Sequence, residues 1–256
     1  MGNSIHNPLQ DLAAVQDWLA TPFGDSLLQQ ESRVVEEAFD GIFGEHCLQL
    51  GNWGDPRTFL RSARTQRCSL IAEEVIGEGP SAIGQLHRLP IESDSIDSVI
   101  LPHALDYSDR PHAILREVHR VLRAGGYLVV LGFRPGGLWG LRRLIPGAGL
   151  PPGDLRLVSD RRLRDWLKLL DMSIHSLSGY FFRWPLPGLK GTASAQWERR
   201  GERWWPELSA CYMLSAQKRI STMTPVRPVW RDKPKVVAGL AEPSTRVSRI
   251  RFDQNS

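Results

Sequence analysis

The stretch that decides the fold covers residues 89–133 and reads LPIESDSIDSVILPHALDYSDRPHAILREVHRVLRAGGYLVVLGF. The apolar residues of segment 96–101 follow the polar turn 92–95 and predict a buried strand that is covered on both faces. We expect this strand to stop at Pro102, because proline cannot donate to a central sheet ladder. Residues 127–131 predict a second buried strand.

A helix is predicted between these two strands. Ser108 or Asp109 can cap its start, and Pro111 suits its first turn. The glycine pair at 125–126 is typical of a helix end. The apolar residues that recur at helical spacing are Ile114, Leu115, Val118, Val121 and Leu122. Two buried strands joined by such a helix are expected to lie parallel, with a right-handed crossover.

Parallel strands joined in this way form an open α/β sheet, whose ligands bind outside the carboxyl ends of the strands. The loops at 102–107 and 132–137 are therefore the predicted functional edge. Further strands are predicted at residues 46–50, 66–72, 172–182 and 207–218.

Three segments, residues 89–90, 95–105 and 115–126, resemble in order and spacing the central block of the class I S-adenosylmethionine-dependent methyltransferases of the type 11, ubiquinone-biosynthesis family. The resemblance covers residues 46–145. It implies an α/β fold with a doubly wound, seven-stranded, mostly parallel Rossmann-like sheet whose last strand is antiparallel. It also implies S-adenosyl-L-methionine as the cofactor and methyl donor.

In the resembled family the first loop passes close to the aminoacyl end of the cofactor, and its glycines leave room for that approach. Here the predicted contacts in this loop are Gly51, Asn52, Trp53 and Gly54. The family pattern is only partly kept, because Gln49 replaces an acidic residue and Trp53 and Asp55 replace two glycines. An ordinary turn is the alternative interpretation.

Two acidic residues end the second predicted strand. A carboxylate there suits the ribose of the cofactor, because its two oxygens accept hydrogen bonds from both hydroxyls. Glu73 and Glu74 are equally well placed, and an exposed loop glutamate is the alternative. By the resemblance, Gln85 would accept a hydrogen bond from the adenine amino group, and Leu86 would lie against the adenine ring.

The loop after the fourth strand begins with Pro102 and His103, which the resemblance also places beside the cofactor. His103 is the candidate catalytic residue, because an imidazole at the carboxyl end of a strand can act as a base near neutral pH. A structural role is the alternative. After the fifth strand, Phe133, Arg134 and Trp139 are the acceptor-side candidates, and Arg134 suits an anionic acceptor group.

Charge is unevenly distributed along the 256 residues. The net charge is +4, but residues 217–256 contain nine Lys or Arg and three Asp or Glu, so the rest of the chain has a small excess of acid. We predict a helical region at 1–40, a methyltransferase domain at 41–218 and a basic, disordered tail at 219–256. Contact between this tail and nucleic acid is an open alternative.

Composition disfavours several other classes of protein. No apolar run is long enough for a signal-peptide core or a membrane span, so we expect a cytoplasmic protein. Cys47, Cys68 and Cys211 are far apart and are expected to be buried, and no residue cluster has the spacing of a metal site. The first loop lacks the G-x-G-x-x-G pattern of a nicotinamide dehydrogenase.

The predicted function is methyl transfer from S-adenosyl-L-methionine to a small-molecule acceptor, which the sequence does not identify. The alternative is a non-catalytic, methyltransferase-like binding or regulatory module. That alternative rests on Gln49, Trp53 and Gln85, which depart from the family at positions that face the cofactor.

Overall fold

The structure, a computed structural model, describes residues 8–55, 57–74, 80–137, 139–140, 151–153, 155–182 and 206–220. These residues fall in one compact unit, Met1–Ser221. In chain order the described elements are α1 (Pro8–Leu19), α2 (Pro22–Phe39), β1 (Phe43–Leu50), α3 (Arg57–Leu60), β2 (Arg64–Ala72), β3 (Ala82–Ile83), β4 (Ile96–Pro102), α4 (Pro111–Val121), β5 (Leu122–Phe133), α5 (Asp160–Leu169), β6 (Met172–Tyr180), a 3-10 helix (Pro206–Leu208) and β7 (Cys211–Lys218).

The strands form one sheet in the order β3-β2-β1-β4-β5-β7-β6. Strands β1 to β5 pair in parallel, whereas β7 is antiparallel to both β5 and β6. At the centre, Val99 of β4 lies between Leu48 of β1 and Leu128 of β5. The doubly wound, mostly parallel sheet with an antiparallel last strand is thereby confirmed. Strand order reverses between β1 and β4, which is where such sheets bind their ligands.

Strand β4 is buried along its whole length, as predicted for residues 96–101. The strand stops at Pro102 as predicted, since Pro102 is the last residue of β4 and pairs with Leu131. The end of a strand tolerates proline, since the missing N–H interrupts no further ladder bond.

The start of α4 differs from the prediction. Arg110, and not Ser108 or Asp109, precedes the helix, and its side chain makes no capping hydrogen bond. The N–H of Arg110 donates to Oγ of Ser108 at 3.0 Å, so this hydroxyl stabilises the turn before the helix. Pro111 is the first helical residue, as expected.

The glycine pair at 125–126 does not end α4. The helix ends at Val121, and β5 begins directly at Leu122, which pairs with Ile96 of β4. Gly125 has a φ of +80° inside β5, close to a register shift between Ile96 and Ser98. A glycine with such a φ is typical of a bulge, so the pair bends the strand.

Successive residues of the central strands point to opposite faces of the sheet, and each face has its own apolar core. Val99 and Leu101 belong to the core that contains residues of α4 and α5. Ile100 and Leu131 belong to the core that contains residues of α1 and α2. Ser159 caps α5 by accepting a hydrogen bond from the N–H of Arg162, as predicted.

Helices α1 and α2 are separated at Thr21, whose hydroxyl accepts a hydrogen bond from the N–H of Gly24 at 3.2 Å. Cys47 and Cys211 are buried as expected, but Cys68 is exposed in the outer part of β2. None of the described helices has the length and apolar character needed to cross a bilayer. The predicted tail lies outside the described residues from residue 221 onward.

Candidate active site

The residues predicted to contact the cofactor come together at the carboxyl edge of the sheet. The N–H of Gly51 donates to the carbonyl oxygen of Ile71 at 2.9 Å and joins the loop after β1 to the end of β2. The N–H of Leu86 donates to Oε1 of Glu73 at 3.2 Å. The loops after β1, β2 and β3 therefore form one continuous edge, which we call the rim.

Gly51 also sets the distance between the rim and the loop after β4. Its φ of +94° lies in the left-handed region, and a Cβ built on it would lie 3.1 Å from the Cβ of Ala104. The positive φ favours glycine at this position, and a side chain there would press on Ala104. Of its neighbours in the loop, Asn52 is buried and Gly54 has a φ of +66°.

The four residues that are predicted to contact the adenosine half of the cofactor differ in their exposure to solvent. Glu73 and Gln85 are exposed, Glu74 is half-buried and Leu86 is buried. Oε2 of Glu74 is shielded from solvent and has no hydrogen-bond partner among the described residues. A shielded carboxylate oxygen without a donor is chemically suited to a ligand hydroxyl.

Gln49 occupies the position of the family's acidic residue and is completely buried. Its Nε2 donates to the carbonyl oxygen of Gly51 at 3.2 Å. Its Oε1 has no hydrogen-bond partner within the part of the chain that the structure describes. The carboxamide thus holds the loop from below and keeps one acceptor available.

Trp53 is buried, with 2% of its surface exposed. Its indole N–H donates to Oε2 of Glu31 at 2.8 Å, and its ring centre lies 4.4 Å from that of His103. The side chain that replaces a family glycine is therefore fixed between α2 and the loop after β4. Contact between Trp53 and a cofactor stays a prediction.

His103 is completely buried between two carboxylates. Its Nε2 lies 2.8 Å from Oε1 of Glu31, and its Nδ1 lies 3.2 Å from Oδ2 of Asp106. Burial by itself lowers the pKa of His103, but the charge of Glu31 and hydrogen bonds to Asp106 and Glu31 raise this pKa to about 9. A protonated imidazole that donates from both nitrogens has no lone pair with which to accept a proton. This arrangement therefore favours a structural role for His103 over a role as a catalytic base.

Asp106 connects three segments of the chain. Its Oδ2 accepts a hydrogen bond from the N–H of Phe133 at 2.9 Å, and its Oδ1 accepts one from the N–H of Val158 at 3.2 Å. Its carbonyl oxygen accepts a third from the N–H of Arg156 at 2.7 Å. The loop after β4 is thereby fixed to the end of β5 and to the segment before α5.

Sequence analysis did not identify Glu31 or Asp106. The available signal for Glu31 was its position on the apolar stripe of α2, where Leu27, Val34 and Val35 are all buried. A carboxylate at a core position of an amphipathic helix requires a buried partner. Glu31 has three buried partners, which are His103, Trp53 and Tyr180. The hydroxyl of Tyr180 donates to Oε1 of Glu31 at 3.2 Å.

The acceptor-side candidates separate into two environments. Phe133 stacks on His103 with ring centres 3.9 Å apart, and Trp139 stacks on Phe133 at 5.4 Å. Both are buried in an aromatic cluster with Trp18, Phe23 and Phe181. Arg134 instead lies 3.8 Å from Asp160 at the start of α5.

A family model described as "Methyltransferase domain" matches residues 69–130, from β2 to β5. Together with the sheet order and the rim, this match confirms the resemblance to the class I, type 11 methyltransferases. Over residues 69–130 the chain is thus similar to a methyltransferase domain.

The chain is also similar to individual proteins, to one of them in sequence and to several in fold. The chain is 28% identical over 245 residues to YafS of Escherichia coli (strain K12), described as an uncharacterized protein, and the match covers 94% of this chain and 95% of YafS. The [4+2]-cyclase SpnF has a TM-score of 0.56 at 17% identity, covering 83% of this chain and 94% of its own.

Two solved methyltransferases are also similar. The geranyl diphosphate C-methyltransferase from Streptomyces coelicolor A3(2) has a TM-score of 0.52 at 13% identity, covering 73% of this chain and 77% of its own. A SAM dependent methyltransferase from Aquifex aeolicus has a TM-score of 0.50 at 12% identity, covering 81% of this chain and 98% of its own. At these identities the likeness concerns the fold alone.

Proposed function

We propose that the protein transfers a methyl group from S-adenosyl-L-methionine to a small-molecule acceptor. The observation that carries this proposal is the rim. Gly51 follows β1, beside the point of strand reversal, and is hydrogen-bonded to Ile71 at the end of β2, while Glu73 after β2 accepts the N–H of Leu86. A rim of this composition suits an adenosyl ligand, since it combines a glycine turn, a carboxylate and an apolar residue.

The rim residues fit the adenosine half of the cofactor. Glu73 or Glu74 would accept hydrogen bonds from the ribose hydroxyls. Oε2 of Glu74, which has no hydrogen-bond partner among the described residues, supports this assignment. Leu86 would lie against the adenine, with Gln85 as the acceptor for its amino group. The loop from Gly51 to Gly54 would hold the aminoacyl end.

The methyl group is already activated when the cofactor is bound, because it is attached to a sulfonium. The chain therefore has to orient the two reactants and exclude water, and no acid, base or metal is demanded. Glu31, His103 and Asp106 together carry a formal net negative charge when the imidazole is protonated. Such a charge beneath the loop after β4 favours a cationic ligand at the edge above it.

A non-catalytic binding or regulatory module is the second candidate. It is favoured by Trp53, whose buried side chain stands in the position of a family glycine. It is also favoured by Phe133 and Trp139, two acceptor-side candidates whose rings are buried and stacked beside His103.

Isothermal titration with S-adenosylmethionine and S-adenosylhomocysteine tests the proposal. We expect the wild-type chain to bind both, and we expect Gly51→Val to lose binding, because its side chain would strain the left-handed backbone and press on Ala104. Gly41→Val is the matched control, since a Cβ at Gly41 meets nothing within 4 Å.

The readout is the heat of binding, with circular dichroism to confirm that each variant is folded. Absence of binding of either ligand to the wild type at millimolar concentration would exclude the cofactor. Normal binding by a folded Gly51→Val would show that the loop is placed wrongly.

A further inference from the structure

A cavity of about 570 Å³ lies between the first turns of α4 and α5. Its walls include Pro111, His112, Arg156, Arg162 and Trp166. None of the residues predicted to contact the cofactor lines it. A cavity of this size accommodates a small organic molecule.

The cavity wall combines cationic and apolar side chains. The guanidinium of Arg162 lies over the ring of Trp166, 5.1 Å from its centre, and no carboxylate of the described residues forms an ion pair with Arg162. Arg156, in contrast, lies 2.9 Å from Oδ1 of Asp109. One positive charge at the cavity is therefore balanced within the protein and one is available to a ligand.

The apolar part of the wall is formed by rings and aliphatic side chains. His112 lies against Trp166 with ring centres 3.7 Å apart, and Leu155 and Val158 line the same space. A ligand that fills this cavity would contact apolar surface with its body and a guanidinium with one end. Such a wall selects molecules that are anionic at one end and apolar at the other.

The cavity is rigidly linked to the loop after β4. The carbonyl oxygen and the carboxylate of Asp106 accept the N–H groups of Arg156 and Val158, two cavity residues. The same carboxylate lies 3.2 Å from Nδ1 of His103. Ser108 and Asp109 also line the cavity, so a molecule in it would contact the end of the loop after β4.

We propose that this cavity binds a small molecule with an anionic group, which Arg162 contacts, and an apolar body, which packs on Trp166, and that this molecule is the methyl acceptor. The proposal that the cavity binds such a molecule rests on the residues of the cavity alone. The identification of its ligand as the acceptor rests on the proposed function.

Titration of the full chain with phenyl phosphate, phenylacetate and the neutral benzyl alcohol tests the cavity. We expect saturable binding of at least one anion and much weaker binding of the alcohol, and the tighter anion distinguishes phosphate from carboxylate. Arg162→Gln is expected to weaken anion binding about tenfold, through the loss of one charge-assisted contact. Trp166→Leu is expected to weaken it as well.

Arg161→Gln is the matched control, because Arg161 is exposed on the same helix but does not line the cavity. We expect it to bind the anions as the wild type does. The inference is overturned if neither anion binds the wild type, if the alcohol binds equally well, or if Arg161→Gln loses as much affinity as Arg162→Gln.

Titration of the same preparations with S-adenosylmethionine separates this inference from the proposed function. We expect Arg162→Gln to bind the cofactor normally while anion binding falls. If the wild type binds the anions through Arg162 but not the cofactor, the cavity stands and the role as acceptor site is excluded. If it binds the cofactor but neither anion, the cavity inference alone fails.

Discussion

Two single residues, Trp53 and His103, account for much of how the site is built. His103 has a φ of +54°, a region that costs a non-glycine residue roughly 1 kcal/mol or more. Its contacts with Glu31 and Asp106 offset this cost. Trp53 supplies the donor for the second oxygen of Glu31. The residue that departs most from the family pattern is therefore part of a buried hydrogen-bonded network.

The raised pKa of His103 predicts a pH-dependent stability. A histidine whose folded-state pKa lies above its unfolded value contributes stability that is complete below the unfolded pKa. That contribution is lost as pH rises through the folded pKa. For His103 the window is from pH 6.5 to about 9, and the loss is on the order of 3 kcal/mol. Urea unfolding at a series of pH values measures it.

The comparison uses two histidine variants. We expect His103→Gln to remove most of this pH dependence, whereas His87→Gln, at a half-buried position on the rim side of the sheet, keeps it. Identical pH profiles for the wild type and His103→Gln would show that the buried ring is neutral.

Long-range contacts limited what could be predicted for individual residues. Gly51 was predicted as a loop glycine from the strand before it and from the family resemblance, and in the structure it has a left-handed φ. The contact between His103 and Glu31 joins residues 72 positions apart in sequence. A local pattern carries no information about such a pair, so the buried role of His103 could be stated only as an alternative.

At the scale of elements, Asp97 joins the beginnings of three strands. Its Oδ2 accepts the N–H groups of Glu45 and His46 in β1, at 2.7 Å and 2.8 Å, and its Oδ1 pairs with Arg123 in β5. Asp97 itself is 3% exposed and lies in β4. It therefore aligns β1, whose opposite end forms part of the rim, with β4 and β5.

We predict that replacing the carboxylate of Asp97 causes a large loss of stability. Asp97→Ala leaves two N–H groups of β1 without their acceptor and Arg123 without its carboxylate, and we expect the free energy of unfolding to fall by about 3 kcal/mol. Asp17→Ala, at an exposed position of α1, is the control and should change it by less than about 0.5 kcal/mol. Urea denaturation measures the free energy of unfolding of both variants. Equal losses for Asp97→Ala and Asp17→Ala would contradict the role of Asp97.

Elements were predictable where one local property determines them. The buried runs around Val99 and Val129 lie in strands because they are apolar on both faces, and Ser159 caps α5 through a contact three residues away. The start of α4 and the role of Gly125 were predicted wrongly. The bend at Gly125 depends on the pairing of β5 with β4, which a local pattern does not contain.

At the scale of the whole molecule, the fold followed from one strand, helix and strand unit together with the family resemblance. The edge on which the site lies followed from the general position of ligands in open α/β sheets. The aromatic cluster around Trp139 and the cavity at Trp166 did not follow, because each combines segments that are distant in sequence. The cavity at Trp166 is the site that we propose for the methyl acceptor.

The central claim is that the rim holds the adenosyl group of the cofactor. A crystal structure of the chain with S-adenosylhomocysteine tests it most directly. The account predicts the ribose hydroxyls on Glu73 or Glu74, the adenine against Leu86 and the aminoacyl end at Gly51. A ligand bound away from the ends of β1 and β2, or a ribose that contacts neither glutamate, would contradict it.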